Sequence, residues 1–445
     1  MLFLGSLFCL ILALCMGEIT YAAIDVCANF QCKTPILSDP HLKLEIVYHG
    51  THTLLKSKGV WLLSPVTKMA ILEKDDILLL NKNDGKVMRI LNHKMLPEPL
   101  LDLSVANKWE RGLLGIAVLR DASKVYSFLY YTESKNGDGS DVCPTNICQP
   151  STEPIQNKLY RYELNNNKLI NPKYFFSGPP SNIASHDGGS LTVGPDHNIY
   201  LTTGDLQGYR NKTTSSMAIN QKYGAFPNGT GGILRFTPDG KPVGNGILGN
   251  KYPLNLYYAY GIRNSFGIDF DPVSGKLWDT ENGPEYGDEI NLVSPGFNSG
   301  WILVQGIWQH RGLSNIGKIV LDQPRGLVDF NGTGKYSAPE YVWNHTVGPT
   351  ALRFLNSDNL GENYKNDLFV ASFNLGEIYH FDLNQDRSAL MLSNPNSTLA
   401  EDQDPKSITF AKGLGNIVDM QVGPDGNLYI LSNYYKSPTI FKISR

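Results

Sequence analysis

Apolar residues along this chain recur in short alternating runs bounded by Gly, Asn, Asp or Pro. Alternation with period two is the pattern of strands, and long stretches at helical spacing are scarce. The segment MAILEKDDILLLNKNDGKVMRIL, beginning at Met69, reads as strand, turn, strand, Asn-Asp-Gly turn and strand. GLLGIAVL at 112–119, VYSFLYYTES at 125–134 and LYRYEL at 159–164 continue the pattern. A loose phrase of outer strand, reverse turn and inner strand returns as GPDHNIYL, DPVSGKLWD and GPDGNLYIL. Short sheet units repeated at intervals of tens of residues predict an all-β fold, a six-bladed β-propeller. A β-sandwich or a pair of β-domains would share the alternation. A TIM barrel would need recurrent long helices that are missing.

The chain start breaks the pattern. Residues 1–22 are a hydrophobic run from Leu2 to Met16 and a short polar stretch ending TYAA. Length and small-residue end suit a signal peptide. The missing basic n-region leaves a retained membrane anchor as the rival reading, and Leu14 fits a lipidated Cys15 poorly. The expected organisation is a signal peptide at 1–22 and an N-terminal extension at 23–60, partly packed on the propeller. The propeller itself is expected at 61–445, with an insertion at 135–158. No later stretch is long and apolar enough to span a bilayer. A secreted or extracytoplasmic protein is therefore expected, with membrane association only through an uncleaved N-terminal segment.

Of six cysteines, Cys9 and Cys15 lie in the leader. Cys27, Cys32, Cys143 and Cys148 remain, and an even count in an exported chain suggests disulfides. The local pairs Cys27–Cys32 and Cys143–Cys148 are the simplest of three pairings. Zinc bound by four thiolates is the alternative, with spacing at the edge of the usual range. N-glycosylation sequons begin at Asn211, Asn228, Asn331, Asn344 and Asn396. The formal charge is -3 over 445 residues, with no basic block, so no nucleic-acid partner is expected.

Candidate chemistry concentrates between Tyr260 and Trp301. Arg263 and Asn264 precede the strand-like run GIDF, and Asp279, Glu281, Glu285, Asp288 and Glu289 lie at or beyond the end of KLWDT. Polar groups at strand ends suit a ligand site. Acids near backbone carbonyls suit a hard cation such as calcium, and a solvated turn-rich surface is the competing reading. His186 stands before Asp187 and two glycines at the start of another strand. A histidine of near-neutral pKa takes a proton from a hydroxyl, although a single histidine is more often structural. His49 and His52 are not a full copper or zinc set. GNGILG at 244–249 and GLSNIGK at 312–318 fit the GxGxxG and GxxxxGK spacings, but neither opens a helical pattern and the second lacks the Ser or Thr that follows the lysine of a phosphate loop. With no GxSxG motif present, the sequence argues against nicotinamide, nucleotide and serine-hydrolase chemistry.

Several of these pieces together resemble the glucose/sorbosone dehydrogenase family, which includes soluble aldose sugar dehydrogenases using pyrroloquinoline quinone. The matching pieces are ERGLLGIA at 110–117, HDGGSLTVGPDHNIYLTTGD at 186–205, GGILRFTPDG at 231–240 and YGIRNSFGIDFDP at 260–272. ENGPEYGDEINLVSPGFNSGW at 281–301 and VGPDGNLYIL at 422–431 complete the set. The resemblance covers roughly 60–435 and implies a six-bladed propeller with the cofactor near the central channel. It implies that His186 is the base taking the anomeric proton of a small sugar while hydride passes to the quinone, since no side chain accepts hydride. Arg263 and Asn264 match cofactor contacts, Arg263 stabilising charge on a quinone oxygen, and Glu110 matches a further position near the cofactor. Gly283 and Pro284 match the carbonyl pair holding the quinone's calcium. Glu289 matches a ligand of a second, structural calcium, while Asp279, Glu281 and Asp288 read better as satisfied turn or surface acids. The electron acceptor is not identified.

Two departures stand out. Ser265 and Phe266 replace a Pro-Gln pair common in the family, which removes a polar group. Asn374 and Leu375 stand where glucose-oxidising members carry arginine against the tricarboxylate. A non-catalytic propeller that binds a protein or glycan is the rival function.

Overall fold

The computed structural model describes residues 34–50, 54–57, 60–63, 65–134, 155–210, 212, 214–311, 316–320, 324–434 and 437–445. The leader, all six cysteines, most of the 135–158 insertion, His52 and Asn211 lie outside these residues. Residues Ile36–Arg445 form one compact unit.

That unit is built almost wholly from strands, and the one α-helical turn among the described residues is Pro405–Ile408. Of the eight sheets among the described residues, six follow one another along the chain as blades. Blade 1 begins with Val66–Glu73, Asp76–Asn81 and Lys86–Leu91, and blade 2 runs from Leu113–Asp121 to Lys168–Ser177. Blade 3 takes Leu191–Val193, Ile199–Thr203, Gly232–Phe236 and Tyr257–Tyr260. Blade 4 takes Ser265–Phe270, Leu277–Glu281, Asp288–Val293 and Tyr341–Trp343. Blade 5 runs from Pro349–Phe354 to Thr409–Lys412. Blade 6 takes Asn416–Val422, Leu428–Tyr434 and Ser437–Ser444. The first strand of each blade packs on the first strand of the next, and that of blade 6 returns to that of blade 1. The ring closes, and the fold is a six-bladed β-propeller.

The chain ends share the closure. Lys43–His49 pairs antiparallel with Ser437–Ser444 as the outermost strand of blade 6. Ile36–Leu37 pairs with the edge of blade 5. Regular sheet therefore begins well before residue 61. His49 lies on this closing strand, its Nδ1 2.9 Å from Thr439 Oγ1.

Packing follows from strand alternation. In the fully buried strand Asp76–Asn81, Leu78 and Leu80 join a cluster shared with blade 2, while Ile77 and Leu79 join one shared with blade 6. A strand sandwiched between two neighbouring blades must be apolar on both faces, which accounts for the run ILLL. Equivalent clusters fill the wedges between the other neighbouring blades. What these wedges leave at one end of the ring is a cavity of about 900 Å³, lined by residues from several blades.

Candidate active site

His186 lies in the connection from blade 2 to blade 3, just ahead of Leu191–Val193. Its backbone is left-handed, with φ 60°. The bend brings its carbonyl against Gly204, where a Cβ would lie 1.9 Å from the His186 oxygen. Glycine is therefore required at 204 for His186 to sit as it does. The ring is buried and held at both nitrogens. Nδ1 lies 2.5 Å from Asp205 Oδ1, and Nε2 lies 3.0 Å from Arg263 Nη2. A guanidinium only donates, so Nε2 carries the lone pair and Nδ1 carries the proton given to Asp205. This is the tautomer in which Nε2 is the basic atom.

Asp205 is the residue that sequence reasoning missed. It closes the quoted motif HDGGSLTVGPDHNIYLTTGD, yet nothing in the spacing shows it turning back to the histidine. Burial pushes its carboxyl up, but the nearby His186 ring, the hydrogen bond to it and the Arg263 charge hold it below the usual value. Trp301 Nε1 donates to its other oxygen at 2.8 Å. The neighbour Asp187 does not hold the ring. Its Oδ1 accepts from Asn157 Nδ2 at 2.7 Å, and burial with the Glu110 charge raises it to about 6.

Arg263 and Asn264 sit in the turn between blades 3 and 4. Arg263 stacks over Trp301, its guanidinium 5.4 Å from the ring centre, and donates through Nη1 to Asn282 O at 2.6 Å. Its Nε is buried without a partner. Glu110 joins the group from the blade 1 to blade 2 connection. Its Oε2 accepts from His186 N at 2.8 Å and from Asn264 Nδ2 at 3.2 Å. Asn264 Oδ1 in turn accepts from Gly188 N at 3.1 Å. The structure thus brings His186, Arg263, Asn264 and Glu110 into one network. Glu110 and Gly188 line the cavity, while His186, Arg263 and Asn264 are buried.

Gly283 and Pro284 also line the cavity, beside Asp288. Asp288 is a satisfied turn acid. It accepts from Gly283 N at 2.8 Å, Val347 N at 2.7 Å and Gly348 N at 2.8 Å, although burial still raises it to about 6. Phe266 and Asn374 line the same space. Its lining also includes Lys68, whose Nζ donates to the carbonyls of Phe266 and Thr350 and lies 3.6 Å from Asp419 Oδ1.

Asp279 and Glu281 correct the expectation of surface acids, because both are fully buried. Register sets Glu281 opposite Glu289 and Asp279 opposite Asn291, so all four share one face of blade 4. Asn291 Nδ2 donates to Asp279 at 3.1 Å and to Glu281 at 3.3 Å. Ser299 and Gln305 donate to Glu289 Oε1. Burial raises Asp279 to about 7, and burial with mutual repulsion raises Glu281 and Glu289 well above the carboxylate range. Asp279 Oδ2, Glu289 Oε2, Asn291 Oδ1 and Gln305 Oε1 are buried without hydrogen-bond partners. Buried lone pairs facing no donor are the chemistry of an oxygen-ligand cation site. Glu285 is exposed and stands apart.

A sequence model described as Glucose / Sorbosone dehydrogenase matches residues 63–440. The chain belongs to that family. The aldose sugar dehydrogenase YliI of Escherichia coli is 26% identical over 267 residues, spanning 60% of this chain and 62% of that one. The quinoprotein glucose dehydrogenase B of Acinetobacter calcoaceticus is 31% identical over 250 residues, spanning 52% and 46%. Among solved structures, the apo form of the Escherichia coli aldose sugar dehydrogenase superposes with a TM-score of 0.66 at 20% identity, covering 91% of this chain and 99% of that one. The quinone-bound form of the Streptomyces coelicolor enzyme gives 0.59 at 19%, with the same coverage. These two likenesses confirm the propeller.

Proposed function

We propose that this protein is an oxidoreductase that oxidises an aldose or related polyol at a hydroxyl-bearing carbon, using pyrroloquinoline quinone and calcium. The observation that carries the reading is the His186 ring, fixed by Asp205 as the tautomer whose Nε2 is basic. Family membership and the names of the relatives supply the sugar-dehydrogenase class.

The quinone, when bound, supplies the hydride acceptor that no side chain offers. A cavity of about 900 Å³ suits a group of that size. Glu110, Arg263 and Asn264 would hold it, and the carbonyls of Gly283 and Pro284 would hold its calcium. The unpartnered oxygens around Glu289, Asp279 and Asn291 fit a second, structural calcium. The chain's own part in the reaction is the proton. The hydroxyl proton of the sugar passes to His186 Nε2, and the resulting imidazolium is balanced by Asp205 at 2.5 Å. Arg263 must first leave Nε2, because its guanidinium occupies that lone pair. Its partnerless Nε and its stacking on Trp301 suit an arginine with a second resting place.

We place the protein outside the cytoplasm, on the leader read from the sequence. No helix among the described residues is long and apolar enough to cross a membrane. The deciding experiment is reconstitution of purified protein with pyrroloquinoline quinone and calcium, followed by bound-quinone absorbance and an assay across aldoses with an artificial acceptor. Binding and oxidation are expected. Failure to bind at high quinone concentration would favour a protein- or glycan-binding propeller.

A further inference from the structure

Residues 107–111 lie in the connection from blade 1 to blade 2, and Asn107, Lys108, Trp109 and Glu110 form one wall of the cavity. The turn is unusual in what it carries. Trp109 has a left-handed backbone with φ 51°, a strained state for a bulky residue, and is 53% exposed. Glu110, the next residue, reaches inward to His186 N and Asn264 Nδ2. Strain of this kind persists only where the surroundings over-determine it.

Among the groups that hold this turn, one side chain reaches three of its carbonyls. Lys82 follows the buried strand Asp76–Asn81, and its Nζ donates to three carbonyls of this single turn. The distances are 2.6 Å to Arg111 O, 2.8 Å to Trp109 O and 3.3 Å to Asn107 O. An ammonium has three donors, so all are used on the turn. Just beyond the turn, the Lys82 carbonyl also accepts from Leu113 N, at the start of the blade 2 strand, at 2.9 Å. We propose that Lys82 is a positioning residue whose ammonium locks the 107–111 turn, and with it the Glu110 carboxylate and the Trp109 ring, into the cavity wall. Where the effect on cofactor is concerned, this rests on the quinone-dependent reading above.

The lock depends on charge. A neutral amine has two hydrogens and a lone pair, so one of the three carbonyls would face that lone pair. Asp187, from the blade 2 to blade 3 connection, and Glu110, on the turn itself, place negative charge nearby and favour the ammonium. Of the turn's other charged groups, Lys108 lies over the Trp109 ring, and Arg111 Nη2 donates to Ser181 O and Ile183 O. Asp84, in the turn after Lys82, accepts from Asn81 and Lys86 N. Burial outweighs the attraction and lowers Lys82 to about 8. The turn is therefore set at neutral pH and slackens in mild alkali.

Trp109 is the reporter. Its emission, taken as parent minus Trp109→Phe, is followed in the quinone-free protein from about pH 7 to pH 10. A transition near pH 8 is expected in the parent and none in Lys82→Arg, which keeps its charge. Lys82→Met should show the alkaline emission already at neutral pH, and it serves if the arginine variant does not fold. The same midpoint in Lys82→Arg, or no transition in the parent, overturns the proposal. In parallel, pyrroloquinoline quinone affinity should fall roughly tenfold across the transition in the parent and stay level in Lys82→Arg. If no variant binds quinone at any pH, the function proposed above fails, while the emission experiment still decides the role of Lys82.

Discussion

Two strands hold the same place in the propeller and are built to opposite specifications. Leu428-Tyr429-Ile430-Leu431-Ser432 is the second strand of blade 6, and Leu277-Trp278-Asp279-Thr280-Glu281 is the second strand of blade 4. Both stretches are fully buried. In blade 6, Leu428 and Ile430 enter the wedge toward blade 5, and Tyr429 and Leu431 enter the wedge toward blade 1. In blade 4 the first two residues obey the same rule, with Leu277 toward blade 3 and Trp278 toward blade 5. Then the pattern breaks. Asp279 and Glu281 occupy the face that Leu277 begins. A wedge that should be oil becomes a set of carboxylates with unpaired oxygens. Burying charge without a partner costs several kcal/mol, which these carboxyls offset by holding protons, as their raised pKa values show, or by binding the calcium proposed above. The apolar wedge holds the fold together. The acidic one trades stability for a site.

The largest effect should come from the polar side. His186→Ala should keep bound quinone and lose roughly 10²–10⁴-fold in turnover, the scale of a general base. Thermal stability should change far less. If the variant oxidises the best sugar as fast as the parent, the proton-transfer role is wrong even though the propeller stands. Arg263→Ala should weaken both quinone retention and rate.

The matching cut on the apolar side is Ile430→Ala. It opens a cavity in the wedge between blades 5 and 6 and should cost about 2–5 kcal/mol of stability. Quinone affinity in the folded fraction should be unchanged. A loss of affinity without a loss of stability in denaturant titration would reverse the contrast between the two strands.

How much of this could be read from the sequence follows the same division. The strands of blade 6 and of blade 1 were legible because runs such as ILLL and LYIL carry their burial in their composition. His186, Arg263, Asn264 and Glu110 were legible through motif resemblance, and the structure joins them in one network. Asp205 was not, because it pairs with a residue 19 positions earlier through a bend no spacing rule announces. Asp279 and Glu281 looked like surface acids because acids usually are. Only the register opposite Glu289 and Asn291 shows that they are enclosed. The closing strand Lys43–His49 was hidden because its partner lies at the far end of the chain.

The acidic wedge should also announce itself through pH. A carboxyl whose folded pKa is raised contributes stability that is present below its unfolded pKa and lost as pH rises through the folded one. For Asp279 that window runs from the ordinary carboxylate range up to about 7. Metal-free protein should thus lose about 1.4 kcal/mol per pH unit for each such group across its window. Asp279→Asn should flatten part of that slope and be the more stable protein at pH 8. Calcium should restore the parent, more at pH 8 than at pH 6, and should release protons on binding, measurable by calorimetry in two buffers. A parent whose melting temperature ignores calcium at every pH would leave the buried oxygens without the proposed ligand.

The smallest expected effect lies at the cavity rim, where neither specification holds. Asn374 is exposed and lines the cavity; its backbone N donates to Val347 O at 3.1 Å, and its side chain reaches Thr346 O from Nδ2 at a long 3.4 Å. It stands where the resemblance places arginine in glucose-oxidising relatives. An anionic quinone bound as proposed would meet no charge from Asn374 or Leu375, and its hold should depend on the buried network around Glu110 and Arg263. Asn374→Arg adds a flexible, hydrated cation to an open rim, where an ion pair is worth about 0.2–1 kcal/mol. Quinone affinity should rise by about 1.5–5-fold at low salt and return to the parent value at about 1 M salt, where the Debye length shrinks to about 3 Å. Turnover at saturating quinone should be unchanged, because His186 is untouched. A much larger, salt-resistant gain would mean that the rim is as enclosed as the network behind it. The line drawn between exposed wall and buried site would then be in the wrong place.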